Sequence, residues 1–356
     1  MEPAAWDYYA GAAGDERTLA DNVEALGRLK LVPRVLVDVS RVDTSTTVLG
    51  EPLSMPIMLA PTAFNKLAHP EGEAAAARAA AGAGTLMVAS TIATCTLEEI
   101  ASAAPGPRWF QLYIYKDRAI TAELVARAEA AGYRAIVLTV DTPLLGRRER
   151  DARNNFMLPP GIGIANFAGL RDRLDATGWP PGSSFSAYVH NLFDASVTWE
   201  ALDWLRASTT LPVVLKGVLS PDDAMRAVEA GAAGVIVSNH GGRQLDGAIA
   251  SIDALPAVAE AVGGRIEVLM DGGIRRGADV IKALALGARA VLIGRPYLWG
   301  LAANGEQGVR HVLDILRGEL ELAMALAGRP TPADIDRSAI AARSAGEHGG
   351  PGALSR

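Results

Sequence analysis

Residues 213–238, VVLKGVLSPDDAMRAVEAGAAGVIVS, contain a complete strand–helix–strand unit. The apolar run that opens this stretch is followed by Ser220 and Pro221, which are typical of a helix start, and the helical pattern ends at Gly231. A second apolar run closes the unit. Apolar strands that alternate with amphipathic helices are typical of a parallel sheet covered on both faces, so this unit predicts an α/β fold.

The same alternation repeats along the chain and yields eight predicted strands, at 57–60, 86–89, 109–113, 135–140, 213–216, 235–238, 268–270 and 291–293. Eight such units indicate a closed (β/α)8 TIM barrel. An open doubly wound sheet is the alternative, and it would carry a glycine-rich dinucleotide-binding turn after its first strand. The sequence has Ala60-Pro61-Thr62-Ala63 there, which favours the barrel.

The chain is predicted to be one domain over residues 1–345, with the barrel at 57–345. Residues 1–56 are expected to form an N-terminal helical cap with a short hairpin. A Gly/Pro-rich insertion after the fourth strand, residues 146–190, is too long for an ordinary loop of this fold and is predicted to be an active-site lid. Residues 346–356 are predicted to be a disordered tail.

Composition excludes several classes of function. The 34 Lys and Arg residues against 40 Asp and Glu give a net charge of −6 and form no basic cluster, which disfavours nucleic acid as a partner. No segment approaches the roughly 20 apolar residues of a bilayer span, so no membrane partner is expected. The single cysteine, Cys95, excludes an internal disulfide. We therefore expect a cytoplasmic protein.

The carboxyl ends of the predicted strands carry an unusual concentration of polar residues, and active sites of TIM barrels lie at this end. Such a rim indicates a large polar ligand. Its members are Thr62, Ser90, Gln111, Tyr113, Thr139, Asp141, Lys216, Ser238, His240, Asp271 and Arg295.

The loops after strands seven and eight indicate a phosphate site. They read Asp271-Gly272-Gly273-Ile274-Arg275 and Ile293-Gly294-Arg295. In TIM barrels these two loops commonly bind a phosphate through backbone amides and a helix start. Each pairs glycine with an arginine, which supports a phosphate group on the ligand.

The stretch Ser238–Gly247, SNHGGRQLDG, is the most informative for chemistry. His240 and Arg243 are separated by two glycines that allow a ligand to approach the backbone closely. An imidazole base and a guanidinium fork suit one substrate that carries a proton to remove and a carboxylate. Asp141 could orient the imidazole and stabilise its charged form.

With these motifs the chain resembles the FMN-dependent L-2-hydroxy acid oxidases and dehydrogenases, which include glycolate, lactate and 4-hydroxymandelate oxidases. The resemblance runs from Trp6 to about Ala327. Its strongest pieces are Ala60-Pro61-Thr62-Ala63, His69-Pro70-Glu71-Gly72-Glu73, Thr139-Val140-Asp141, Leu215-Lys216-Gly217 and Ser238–Gly247.

The resemblance implies a role for each site residue. It makes His240 the base, Asp141 its hydrogen-bond partner, and Lys216 the charge that stabilises reduced FMN. It implies that Arg243 binds the substrate carboxylate with help from Tyr8 and Arg148, and that Tyr113 contacts the substrate. The cofactor contacts that it implies are Thr62, Ala63, Ser90, Gln111, Thr139, Lys216, Ser238, Asp271, Gly272, Gly273, Arg275, Gly294 and Arg295.

The implied reaction is oxidation of an (S)-2-hydroxy acid to the 2-oxo acid, with O2 as the electron acceptor and H2O2 as the by-product. A dehydrogenase that passes the electrons to a quinone or a protein is the alternative. Ile92 stands where glycolate oxidases carry a tryptophan, so a substrate larger than glycolate is expected: lactate, a medium-chain acid or a mandelate-like acid. The resemblance also implies a homo-oligomer, a tetramer or octamer.

Two other classes of function are compatible with a TIM barrel. A Schiff-base aldolase on the same barrel would use Lys216 as its nucleophile. A flavin-binding scaffold without catalysis would lack the base or the fork, and both are present. No metal site is expected, because none of the five histidines has ligand spacing.

Overall fold

The protein folds as a closed barrel of eight parallel strands, which confirms the predicted (β/α)8 architecture. The computed structural model describes residues 1–168 and 191–341, so residues 169–190 of the predicted lid and the predicted tail lie outside the described residues. The barrel strands are β3 (Ile57–Leu59), β4 (Met87–Ser90), β5 (Arg108–Leu112), β6 (Ile136–Thr139), β7 (Val213–Val218), β8 (Gly234–Val237), β9 (Glu267–Asp271) and β10 (Ala290–Ile293). β10 pairs with β3 and closes the ring.

Helices alternate with these strands. In the described part of the chain they are α1 (Pro3–Ala10), α2 (Arg17–Arg28), α3 (Gly72–Gly82), α4 (Leu97–Ala103), α5 (Arg118–Ala130), α6 (Glu149–Arg153), α7 (Glu200–Ala207), α8 (Pro221–Glu229), α9 (Ser251–Val262), α10 (Gly277–Ala285) and α11 (Arg295–Leu326). None of them is long and apolar enough to cross a bilayer.

Local sequence signals explain several helix starts. Thr96 and Glu99 form a capping box at α4, in which each side chain accepts a hydrogen bond from the other's backbone amide. Ser220 caps α8 in the same region of sequence that predicted the fold. α3 begins at Gly72. Gly72 has a φ of +49°, so the chain bends there before it enters the helix.

Alternate side chains along the barrel strands belong to two different apolar cores. Met58, Val88 and Trp109 point into the barrel, whereas Ile57 and Leu59 pack in the outer layer between strands and helices. The short antiparallel pair β1 (Thr46–Val48) and β2 (Glu51–Leu53) joins the inner core through Val48 and Leu53. The backbone amide of Leu49 in this hairpin donates to Glu267 at the start of β9. The hairpin therefore closes the amino-terminal end of the barrel, and the other end is left for a ligand.

Candidate active site

A cavity lies at the carboxyl end of the barrel strands. Its wall includes every residue predicted to contact the substrate, and every predicted cofactor residue except Ser238. Of the four predicted catalytic residues, three reach the wall, and the fourth, Asp141, lies behind His240. The fold therefore brings the sequence-predicted set together in one place, although residues in it are separated by more than 200 positions in the chain.

His240 and Asp141 form a hydrogen-bonded pair. The Nδ1 atom of His240 lies 2.9 Å from Oδ1 of Asp141. His240 has a φ of +59°, a region costly for residues with a Cβ atom, and its backbone amide donates to Ser238 Oγ. A Cβ atom at Gly217 would lie 2.6 Å from the Cβ of Asp141, so the glycine of β7 makes room for the carboxylate. The local backbone is thus shaped around this pair.

The surroundings set the protonation of the pair. Burial lowers the pKa of His240 below its ordinary value, and the positive charge of Lys216 acts in the same direction, although Asp141 opposes both. Burial raises the pKa of Asp141, but His240 and Lys216 outweigh it and hold that pKa below its usual range. A charged carboxylate therefore faces a neutral imidazole. The carboxylate accepts the proton on Nδ1, which leaves Nε2 able to accept another.

Lys216 and Asp271 form a second, more deeply buried pair. Lys216 Nζ lies 3.1 Å from Asp271 Oδ2, and the two side chains are 4% and 10% exposed. Lys216 Nζ also donates to Ser238 Oγ at 3.0 Å, which places Ser238 behind the cavity wall. Burial would lower the pKa of Lys216, but Asp271 and Asp141 raise it above its usual value. The ammonium stays charged, which disfavours the Schiff-base aldolase because that chemistry needs a neutral amine.

Two guanidinium groups lie against one aromatic ring at the mouth. The Cζ of Arg243 is 4.9 Å from the ring centre of Tyr8, and that of Arg148 is 5.7 Å from it. Burial, with a contribution from Arg148, lowers the pKa of Arg243 to about 10. Each of these positive charges is less stable beside the other, so an anionic ligand that binds both would be favoured. Guanidinium groups bind a carboxylate through paired hydrogen bonds.

A further cationic region lies beside the loops after β9 and β10. Burial lowers the pKa of Arg295 to about 9, and the charges of Arg243, Arg275 and Arg148 add to that effect. Burial also lowers the pKa of Arg275. An anion bound here would offset this repulsion, as the predicted phosphate would.

The glycine backbone beside these arginines lines the cavity and packs closely on α2. Gly272 and Gly273 have φ values of +98° and +82°, and a Cβ atom at Gly273 would lie 2.1 Å from the carbonyl oxygen of Asn22. Asp271 Oδ1 is buried and has no hydrogen-bond partner among the described residues. A hydroxyl-bearing chain that ends in phosphate, such as the side chain of FMN, supplies both the missing donor and the anion. The residues at this end of the cavity therefore fit FMN.

The opposite wall carries a row of hydrogen-bonding side chains on three adjacent strands. Ser90 Oγ donates to Gln111 Oε1 at 3.3 Å, and Gln111 Nε2 donates to Thr139 Oγ1 at 3.0 Å. Thr62 Oγ1 donates to Asn65 at 2.8 Å, and it lies on the same wall with Ala63. This row presents amide and hydroxyl groups at fixed positions, which suits the polar edge of a flavin ring.

The sequence did not predict several wall residues, among them Tyr9, Thr142, Leu145 and Phe193. The ring of Phe193 stacks on that of Tyr113 at 4.4 Å between centroids. Phe193 follows the insertion and lies outside every strand end, so no strand-end pattern could reveal it. Burial and the charge of Asp141 raise the pKa of Tyr113, which keeps its hydroxyl protonated as a donor.

Comparison with known proteins agrees with this geometry. L-lactate oxidase from Nostoc sp. is 56% identical over 342 residues, which cover 95% of this chain and 93% of the relative. Glycolate oxidase from Spinacia oleracea is 54% identical over 338 residues, 95% of this chain and 91% of the relative. The crystal structure of mandelate oxidase with (S)-4-hydroxymandelic acid matches with a TM-score of 0.89 and 46% identity, covering 95% of this chain and 94% of the other.

A family model described as FMN-dependent dehydrogenase matches residues 1–342. This match spans the cap, the barrel and the whole cavity. The chain belongs to the FMN-dependent dehydrogenase family.

Proposed function

We propose that the protein oxidises an (S)-2-hydroxy acid to the 2-oxo acid and passes the two electrons to O2. The overall reaction converts R–CHOH–COO⁻ and O2 into R–CO–COO⁻ and H2O2, so atoms and electrons balance. The observation that carries the proposal is the placement of the His240 imidazole, held by Asp141, in the same cavity as the guanidinium groups of Arg243 and Arg148.

Each protein group has a defined task in this proposal. Arg243 and Arg148 bind the substrate carboxylate, and Tyr8 and Tyr113 fix its orientation. His240 accepts one proton from the substrate at Nε2, and Asp141 stabilises the imidazolium that results. Bound FMN supplies the electron acceptor. The ammonium of Lys216 keeps a positive charge at the cavity wall, where it would stabilise negative charge on a bound flavin.

The cofactor contacts are proposed from the same geometry. The row of hydrogen-bonding groups would hold the flavin ring, with Thr62 and Ala63 beside it. Ser238 would act through Lys216, because its hydroxyl accepts from that ammonium. The remaining contacts, at the phosphate end, are Asp271, Gly272, Gly273, Arg275, Gly294 and Arg295.

The apolar part of the cavity wall favours a substrate with a side chain. Ile92, Leu145 and Phe193 all line the cavity and are apolar, so they would lower the free energy of an alkyl or aryl substituent by burial. A relative of known structure carries (S)-4-hydroxymandelic acid, and another is an L-lactate oxidase. We therefore propose lactate, a medium-chain acid or a mandelate-like acid in preference to glycolate.

The test is an oxygen-electrode assay of the FMN-loaded protein with glycolate, (S)-lactate, a medium-chain (S)-2-hydroxy acid and (S)-mandelate. We expect oxygen uptake without any added acceptor, one H2O2 for each 2-oxo acid, and a higher kcat/KM for an acid with a side chain than for glycolate. Turnover that begins only when a quinone or dye is added would support the dehydrogenase instead. No turnover with any of these acids under either condition would contradict the proposed reaction.

A further inference from the structure

Arg150 in α6 contacts two acidic residues near the amino terminus. Its Nη2 atom lies 2.6 Å from Glu16 Oε2, and its Nη1 atom lies 3.5 Å from Asp7 Oδ1. Asn154, just after α6, donates to Asp7 Oδ2 at 2.5 Å. The helix that opens the insertion is therefore joined by side chains to a segment almost 150 residues earlier in the chain.

That segment, residues 7–16, is here termed the N-terminal turn, and its carbonyl groups hold the arginines of the site. Arg243 Nη1 donates to the carbonyl oxygens of Tyr8 and Gly11 at 2.6 and 2.9 Å. Gly11 O also accepts from Arg295 Nη2 at 2.8 Å. These carbonyls lie at the carboxyl end of α1, where the helix dipole favours positive charge. The position of the N-terminal turn therefore sets the position of Arg243.

The shape of the N-terminal turn depends on the groups that Arg150 contacts. Glu16 Oε1 accepts a hydrogen bond from the backbone amide of Ala12 at 3.0 Å, while its other oxygen binds Arg150. A Cβ atom at Gly11 would lie 3.1 Å from Cδ of Arg150, so the arginine stem packs directly on the turn. Arg150 thus contacts the turn by both charge and packing.

The second group proposed to bind the carboxylate, Arg148, lies at the start of α6. Arg148 immediately precedes the first residue of α6 and is 9% exposed. It and Arg243 lie near the ring of Tyr8, and the charge of Arg148 contributes to the lowered pKa of Arg243. The two guanidinium groups repel each other, so an attraction between the elements that carry them is needed to keep them close.

We infer that Arg150 is a positioning residue: it holds the N-terminal turn against α6 and so fixes the spacing of Arg148 and Arg243 for one substrate carboxylate. This inference rests on the proposed function, because it assigns that carboxylate to the two arginines. Arg150 is not one of the described residues that line the cavity, so it acts through the elements that it joins.

The test measures binding of pyruvate, an unreactive 2-oxo acid, to the FMN-loaded protein by the change in flavin absorbance. Arg150→Ala is expected to raise the Kd for pyruvate roughly three- to tenfold, the range for loss of two partly exposed ion pairs. Arg150→Lys restores the charge and should recover most of the affinity. In turnover with the best 2-hydroxy acid, Arg150→Ala should raise KM more than it lowers kcat.

Arg153→Ala is the matched control, because Arg153 lies on the same helix but pairs with Glu149 within that helix. It should leave the Kd for pyruvate at the native value. An Arg150→Ala protein with native Kd, or an equal rise in Arg153→Ala, would overturn the inference while native binding and turnover leave the proposed function standing. A native protein that neither binds pyruvate nor oxidises a 2-hydroxy acid would remove both.

Discussion

Two carboxylates at strand ends, Asp141 and Asp271, lie at the mouth of the barrel, and each has a different partner. Asp141 faces His240 at 2.9 Å, and Asp271 faces Lys216 at 3.1 Å. The first pair is more exposed, at 20% for His240 and 13% for Asp141. The ordinary pKa is about 6.5 for an imidazole and about 10.4 for a lysine ammonium. Only the pair that contains His240 can therefore change its charge close to neutral pH.

The difference shows that the partner of the carboxylate determines whether the pair can change its charge near neutral pH. Burial lowers the pKa of His240, so the imidazole beside Asp141 is neutral near pH 7 and can accept a proton. The pKa of Lys216 is raised despite burial, so the Asp271 pair keeps a fixed positive charge. We therefore propose that the first pair transfers the proton and that the second stabilises negative charge.

The largest effect is expected when the proton acceptor is removed. His240→Gln should keep the ability to bind FMN but slow its reduction by substrate about 10²–10⁴-fold, because the base is lost. Anaerobic stopped-flow mixing, monitored by flavin absorbance, measures this rate, and an FMN titration of the apoprotein checks that the cofactor still binds. Reduction within tenfold of the native rate would remove His240 as the base.

Loss of the buried ion pair between Lys216 and Asp271 is expected to lower the stability of the fold. Lys216→Met leaves Asp271 buried without a counter-ion, so the free energy of unfolding of the apoprotein should fall by about 3–5 kcal/mol. Urea unfolding of the apoprotein measures it. The double variant Lys216→Met/Asp271→Asn removes the uncompensated charge and should regain most of the loss. A single variant as stable as the native protein would show that the pair is not a buried ion pair in solution.

The smallest effect is expected from Asp141→Asn, which keeps the size of the side chain but removes its charge. Hydrogen bonds to charged groups contribute about 1.5–3 kcal/mol, so the rate of flavin reduction should fall roughly 10–100-fold. The rate rises with pH as His240 becomes neutral. Since Asp141 raises the pKa of His240, its loss lowers that pKa, and the acid limb of the pH–rate profile should move to lower pH. A limb that stays in place or moves to higher pH would contradict the pairing.

Much of this site could be predicted because a barrel places all strand ends at one rim. The strand bounds predicted from apolar runs agree with the structure to within two residues, so residues such as Lys216 and Asp271 could be assigned to the rim before any coordinates. The pairing of Asp141 with His240 was also predicted, but the pairing of Lys216 with Asp271 was not, because it depends on strand order in the barrel and on side-chain conformation, which no local pattern specifies.

The contributions from outside the strands were the hardest to predict. Tyr8 was named only through the family resemblance, and the structure adds that its backbone carbonyl holds Arg243. Phe193 and Arg150 have no local signal, since their roles arise from contacts with distant segments. The cytoplasmic location and the homo-oligomeric state stay predictions.

The most direct test of the proposed reaction is to mix the FMN-loaded protein anaerobically with each enantiomer of lactate and of mandelate. We expect the (S)-acid of at least one pair to abolish the absorption of oxidised flavin and to yield one 2-oxo acid per FMN, while its (R)-enantiomer leaves the flavin oxidised. Failure of the apoprotein to take up FMN, or flavin that stays oxidised with every acid, would contradict it.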